Sequence, residues 1–241
     1  DMSVVTWKMD EGVATVLMNN GQNLQNLEFA NDMNTAIDAA AADPQTRALV
    51  LTSSDEKFFS NGIDVQWLGE RFTAEEFQAI RDFCYGMDAV FKKLLLAPFP
   101  AIAAINGHAF GNGAILACAC DFRFMKSDRG FFCFPEVDLG IPFLPGMDAF
   151  LQKAVPAYKL NELKLTGKRA TAPELEAAHV IEKACDNAEH LMSETMAFAG
   201  FFNKKRGIFA EHKRRMYQHI IDIIDTQNPA HIDSLNLMIR E

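Results

Sequence analysis

The stretch from Ala101 to Asp121, AIAAINGHAFGNGAILACACD, constrains the fold more than any other part of the chain. It opens on a short apolar run, Ala101 to Ile105, with the length and composition of a buried strand. Asn106-Gly107 breaks that run, and Gly111, Asn112 and Gly113 crowd together before a second apolar stretch, Ala114 to Cys120. The small side chains of that second stretch suit a buried helix, so the glycines occupy a strand-to-helix turn. Free N–H groups and the positive end of the helix dipole gather at such a turn. It can hold an anion, whether bound or developing in a reaction, although plain packing is the commoner use of a glycine-rich turn.

The remaining segments fit the same strand–turn–helix alternation. Val4 to Met9 and Val13 to Met18 read as a hairpin across Asp10-Glu11-Gly12, followed by a polar loop from Asn19 to Gln25. Leu27, Phe29, Met33, Ile37 and Ala40 recur at helical spacing up to Asp43-Pro44, and Ala48 to Leu51 is a short buried strand. Thr73 and Glu76 have the spacing of a capping box, which predicts a helix starting there with Ile80, Cys84, Met87, Phe91 and Leu94 on its apolar face. Phe122 to Met125 and Gly130 to Phe134 read as strands, and helices follow at Gly146 to Val155 and Asn161 to Thr166. Thr171 and Glu174 form a second capping box with Pro173 in its first turn, and Val180 to Ala184 reads as a last strand. From Ala188 the chain is helical in character, with a basic cluster from Lys204 to Arg215 and an apolar periodicity from Ile220 to Met238. Alternation of this kind predicts an α/β core with helices appended at its C-terminus.

Composition narrows the function. At 241 residues the chain can bury a sizeable core, and a net charge of −9 gives nucleic-acid or anionic-membrane binding no electrostatic footing. No apolar run reaches the ~18 residues of a membrane span. The five cysteines form no CxxC pair and no metal-spaced cluster, so buried free thiols, a reducing compartment and no metal are expected. The chain enters strand-like sequence at once, so no signal peptide is expected, and its C-terminal Ile-Arg-Glu does not read as a Ser-Lys-Leu address. The expected location is therefore cytoplasmic.

Three segments in register carry a family resemblance. Phe58-Phe59-Ser60-Asn61-Gly62-Ile63-Asp64, the Ile105 to Gly113 turn, and Pro135-Glu136-Val137-Asp138-Leu139-Gly140 together resemble the crotonase superfamily of enoyl-CoA hydratases and isomerases, over roughly residues 4 to 215. The resemblance implies a crotonase-type spiral of repeated ββα units over residues 1–187 and a helical oligomerisation region over 188–241, assembled as a homotrimer or dimer of trimers. It implies an acyl-CoA thioester as substrate, with coenzyme A part of that substrate and no separate cofactor. By position, the backbone N–H groups of Ile63 and Asn112 would grip the thioester oxygen, and Glu136 would be the retained catalytic glutamate. Leu24, Gln25, Asn26, Ser60, Asn61, Gly62, Asp64, Gly111 and Ile115 fall on substrate-binding positions. Leu24, Gln25 and Asn26 belong to a loop that lines the adenine end of coenzyme A in the family. Asp64 reads as a helix cap rather than an acid.

The departures decide the expected reaction. Hydratases of the family carry a second glutamate where this chain has Ile115, and dienoyl-CoA isomerases carry an aspartate where it has Leu144. One carboxylate, Glu136, remains in apolar surroundings that should raise its pKa. That set implies a Δ3,Δ2-enoyl-CoA isomerase, with a hydratase, another acyl-CoA reaction on the same scaffold, or a non-catalytic CoA-binding homologue as alternatives. Asn112 replaces a glycine common in the family and puts a polar side chain at the pocket. His108 reads as a loop histidine with a satisfied hydrogen bond, and the Lys204 to Arg215 cluster as either a phosphate contact or a solvated face.

Overall fold

The computed structural model describes residues 3–239. Strands β1 (Val5–Asp10) and β2 (Val13–Met18) form the antiparallel hairpin, turning on Gly12 at φ +84°. Helix α1 (Leu27–Ala42) leads to β3 (Ala48–Ser53) and β4 (Phe58–Ser60), then to α2 (Val65–Thr73) and α3 (Phe77–Leu96). The pattern repeats as β5 (Ala101–Ile105), β6 (His108–Phe110) and α4 (Asn112–Ala119), and again as β7 (Phe122–Lys126), β8 (Phe132–Cys133) and α5 (Glu136–Leu139). Helices α6 (Pro145–Ala154), α7 (Ala157–Thr166) and α8 (Ala172–Ala177) precede β9 (Lys183–Cys185), α9 (Ala188–Gly200) and α10 (Arg206–Asp233).

In the three repeats that begin at β3, β5 and β7 the first strand joins one sheet and the second joins another. The large sheet has the order β1-β2-β3-β5-β7-β9 and the small one β4-β6-β8, with every neighbour parallel except β1 and β2. This is the expected spiral of ββα units. β3 and β5 are buried along their whole length, as suits parallel strands covered on both faces. One face of the large sheet packs Val16, Leu49, Leu51 and Ala103 against Phe29 and Met33 of α1 and Phe91 of α3. The opposite face packs Val50, Ile102 and Phe124 against Leu191 and Ala199 of α9. Residues from 188 onward thus complete the core: α9 closes a sheet face, and α10 docks on α3 and α6.

Three sequence expectations change. Thr73 ends a helix rather than starting one, its hydroxyl donating to the Gly69 carbonyl at 2.9 Å. Asp64 caps α2 by accepting from the Trp67 N–H at 3.0 Å, and α3 begins at Phe77 without a side-chain cap. A Thr-x-x-Glu spacing signals a start only where the preceding backbone is not already helical. The strand expected over 130–134 shrinks to Phe132–Cys133, and Glu136 opens a helical turn rather than ending a strand. Pro135 fixes the approach at φ −78°, and Gly140 stops the turn in the left-handed region at φ +67°. Finally, α10 ends at Asp233, so Leu237 and Met238 lie beyond it. The second capping box, Thr171 with Glu174, forms as expected. No described helix is long and apolar enough to cross a membrane. The C-terminal Arg240 and Glu241 lie outside the described residues.

Candidate active site

The parallel pairing of β4 with β6 delivers both glycine-bearing turns to one edge of the small sheet. Gly62 sits at φ +82°, and a Cβ there would lie 2.7 Å from the Phe110 carbonyl oxygen and 3.2 Å from the Asn112 nitrogen. Only glycine allows this approach. Gln25 runs parallel to Ile63, its N–H donating to Gly62 at 2.8 Å and its carbonyl accepting from Asp64 at 2.9 Å. In a parallel ladder the residue between those two bonds turns its own N–H to the opposite side. Among the described residues neither the Ile63 N–H nor the Asn112 N–H has a backbone acceptor. Gly113 locks the start of α4 onto β4: a Cβ there would lie 2.2 Å from the Ser60 carbonyl oxygen.

Glu136 meets this pair of turns. Its Oε1 lies 3.1 Å from where a Cβ of Gly111 would be, over a residue at φ +54° and ψ −126° that only glycine adopts readily. The residue is 9% exposed, and among the described residues its Oε2 has no hydrogen-bond partner. Burial raises its pKa to about 7, against smaller opposing effects of its own backbone N–H and of Lys164. Lys164 is itself paired with Asp148. The expected elevation of Glu136 is therefore present.

Glu136 and Asn112 border a cavity of about 110 Å³ and, among the described residues, are its only lining residues with side-chain oxygens. The apolar wall comes from Leu68 and Phe72 of α2, Phe83 and Met87 of α3, Ile115 of α4, Phe143 and Leu144, and Leu237 and Met238. Sequence reading did not point to Leu237 or Met238. Their periodicity reads as more helix, whereas a 2.8 Å bond from the Ile239 N–H to the Gly140 carbonyl holds the tail beside the site. Cys84 and Met87, assigned to plain core by their spacing, also face the cavity.

The other expected site residues divide by location. Ile63, Asn112, Ile115 and Glu136 line the cavity, and Gly62 and Gly111 shape its backbone. Gln25 and Ser60 stand behind Asn112 as a buried polar chain. Leu24, Asn26, Asn61 and Asp64 do not line it. Asn26 caps α1 by accepting from the Phe29 N–H at 3.0 Å, Asn61 donates to the Gln22 side chain at 3.0 Å, and Asp64 caps α2. His108 Nδ1 accepts from the Phe131 N–H at 3.2 Å, the satisfied hydrogen bond expected of it. Its pKa is held down by burial and by Lys57, Arg169 and Arg129. A larger hollow of about 870 Å³ beside α9 shares no residue with the Glu136 cavity.

The sequence model of the enoyl-CoA hydratase/isomerase family matches residues 8–236. The chain belongs to that family. Among curated members it is 28% identical over 197 residues to enoyl-CoA delta isomerase 3 of Arabidopsis thaliana, covering 78% of this chain and 81% of that protein. It is 37% identical over 147 residues to carnitinyl-CoA dehydratase of Escherichia coli, covering 61% of this chain but only about half, 54%, of the dehydratase. Among solved structures it superposes on an enoyl-CoA hydratase from Bacillus halodurans with a TM-score of 0.86 at 20% identity, over 97% of this chain and 94% of the other. For this enoyl-CoA hydratase/isomerase family member, the basic cluster is largely committed to its own fold. Lys213 is 4% exposed and binds Asp121 and the Leu94 carbonyl, Arg206 binds the carbonyls of Ala41 and Asp43, and Arg214 and Arg215 pair with Glu211.

Proposed function

We propose that the protein is a Δ3,Δ2-enoyl-CoA isomerase that moves a double bond from C3 to C2 of an acyl-CoA thioester. The observation that carries this reading is the solitude of Glu136: among the described residues it is the one carboxylate, with its pKa near neutrality, in a cavity whose hydratase-type second position is Ile115. Hydration needs groups to handle both a water and an α-proton, whereas a 1,3-proton shift needs one shuttle. In this reading the thioester oxygen takes hydrogen bonds from the Ile63 and Asn112 N–H groups, which form an oxyanion hole. Glu136 removes a proton from C2, the charge spreads over the dienolate and onto that oxygen, and the same carboxyl returns the proton to C4. Preorganised donors aimed at the developing oxyanion are worth roughly 3–4 kcal/mol each. A pKa near the working pH lets one group both accept and return the proton. The similarity to an enoyl-CoA delta isomerase supports the same choice.

The similarity to a carnitinyl-CoA dehydratase favours a second reading, water removal or addition on the same scaffold. Parallel assays with 3-enoyl-, 2-enoyl- and dienoyl-CoA esters separate the two. Glu136→Gln should lower isomerisation by 10³-fold or more while CoA-ester binding persists; near-normal turnover by this variant would overturn the assignment. Tight ester binding with no turnover of any substrate would favour the non-catalytic alternative. We further propose a trimer or dimer of trimers and a cytoplasmic location, supported by the family resemblance for the first and by cysteine usage for the second.

A further inference from the structure

The two N–H groups read as donors to the thioester oxygen belong to segments that the small sheet stops joining just short of them. β4 and β6 pair at Phe58 with His108 and at Ser60 with Ala109. Beyond that point no backbone hydrogen bond among the described residues connects 61–64 to 111–113. Gln25 makes the connection, with its backbone on one side and its side chain on the other. Its N–H donates to the Gly62 carbonyl at 2.8 Å. A planar trans peptide holds its carbonyl and its N–H on opposite sides, so this bond also aims the N–H of the same peptide, which is that of Ile63. The Gln25 Oε1 accepts from the Asn112 Nδ2 at 2.5 Å and so holds the residue that carries the second donor.

The Gln25 amide has one orientation open to it. The Ser60 hydroxyl donates to the Asn23 carbonyl at 2.8 Å, and its oxygen accepts from the Gln25 Nε2 at 3.1 Å and from the Gly62 N–H at 3.3 Å. Oε1 is thereby left for Asn112. Gln25 is 0% exposed, so its side chain acts only through these neighbours.

We propose that Gln25 is a positioning residue that braces the Ile63 and Asn112 N–H groups so that both reach one thioester oxygen. The bond needs a side chain at position 112, where the family commonly has glycine, so the brace belongs to this chain and not to the scaffold it shares. Preorganised donors contribute only while they point at the developing charge, and a misplacement of about 1 Å can cost ~10²-fold in rate. The inference rests on the reading of these two N–H groups as an oxyanion hole, but not on which reaction follows.

A saturated ester reads the hole without turnover. Butyryl-CoA labelled with carbon-13 at its thioester carbonyl should, when bound to the wild type, show that resonance displaced downfield of the free ester, because hydrogen bonds polarise the carbonyl. Gln25→Leu and Asn112→Ala each remove the brace and should lose most of the displacement. In the isomerase assay each should lower kcat about tenfold with KM little changed. The double variant should lose no more than either single one, since both remove the same contact. Gln25→Glu keeps an oxygen that accepts from Asn112 and should restore the displacement. A displacement that survives in Gln25→Leu or Asn112→Ala, or that is lost equally in Gln25→Glu, would overturn the proposal and leave the oxyanion hole standing. An ester that fails to bind the wild type, or binds without displacement, overturns the hole and the brace together. If Gln25→Leu does not fold, Asn112→Ala decides alone.

Discussion

At the scale of single residues, Glu136 and the glycines around it dominate. In the proposed isomerisation Glu136 must be ionised to take a proton, and burial raises its pKa to about 7. Isomerase kcat/KM should therefore climb about tenfold per pH unit below 7 and level off above it, a profile read directly from initial rates between pH 5.5 and 9. Gly113 makes a stricter demand. A methyl group there would lie 2.2 Å from the Ser60 carbonyl, a backbone atom that cannot step aside. Gly113→Ala should cost at least about 2 kcal/mol in urea unfolding, and because the clash pushes α4 off β4 it should also weaken catalysis. The glycine pattern is visible in sequence, but the atom each glycine accommodates is not. Gly111 leaves room for a carboxylate and Gly113 for a carbonyl, though they are only two residues apart.

Elements set the shape of the proposed acyl site. α2 and α3 form one wall, α4 another, and the chain leaving α10 lays Leu237 and Met238 across the site with Ile239 bonded to Gly140. Leu237→Ala with Met238→Ala should enlarge the cavity and shift the kcat/KM optimum toward longer acyl chains, checked with a series of 3-enoyl-CoA esters; an unchanged optimum would place the limit elsewhere. α10 itself is held by a buried ion pair, Lys213 to Asp121 at 2.7 Å, with Asp121 also accepting from the Ala101 N–H that starts β5. Lys213→Met would leave that carboxylate buried and unpaired, which should cost about 3–5 kcal/mol and show as a large drop in the thermal midpoint. From sequence, Lys213 is one of several lysines and arginines in a basic run. Its role arises only because α10 crosses the ends of α3 and β5, where burial turns an ordinary surface charge into a structural one.

For the whole molecule, two buried carboxylates make stability depend on pH. Asp88, on α3, accepts two hydrogen bonds from Asn228 of α10, and burial raises its pKa to about 7, as it does for Glu136. An acid whose pKa is higher folded than unfolded binds its proton more tightly in the native state. Its contribution is full at pH values below the unfolded pKa near 4 and is lost as pH rises through 7. Urea midpoints should therefore fall between pH 5 and pH 8, and Asp88→Asn should flatten the slope. Glu174 and Glu211, held near 2 by Lys168 and by Arg214 and Arg215, act in the opposite sense only in more acidic solution, and their exposure keeps that effect small.

By itself the sequence determined what local chemistry can fix. Three glycine- and proline-marked segments in register, the run of buried parallel strands, the cap of α8 and the single retained carboxylate are all readable because each depends on residue type and spacing. The tertiary structure decided what depends on distant segments meeting. It made Asp64 rather than Thr73 the helix start, and it carried the tail after α10 to the mouth of the cavity. It joined Gln25 to Asn112 across 87 positions of chain, and left the Asn112 Oδ1 buried without a partner among the described residues. Periodicity reports which face of an element is apolar; which buried polar atom finds a partner is settled only when the elements pack.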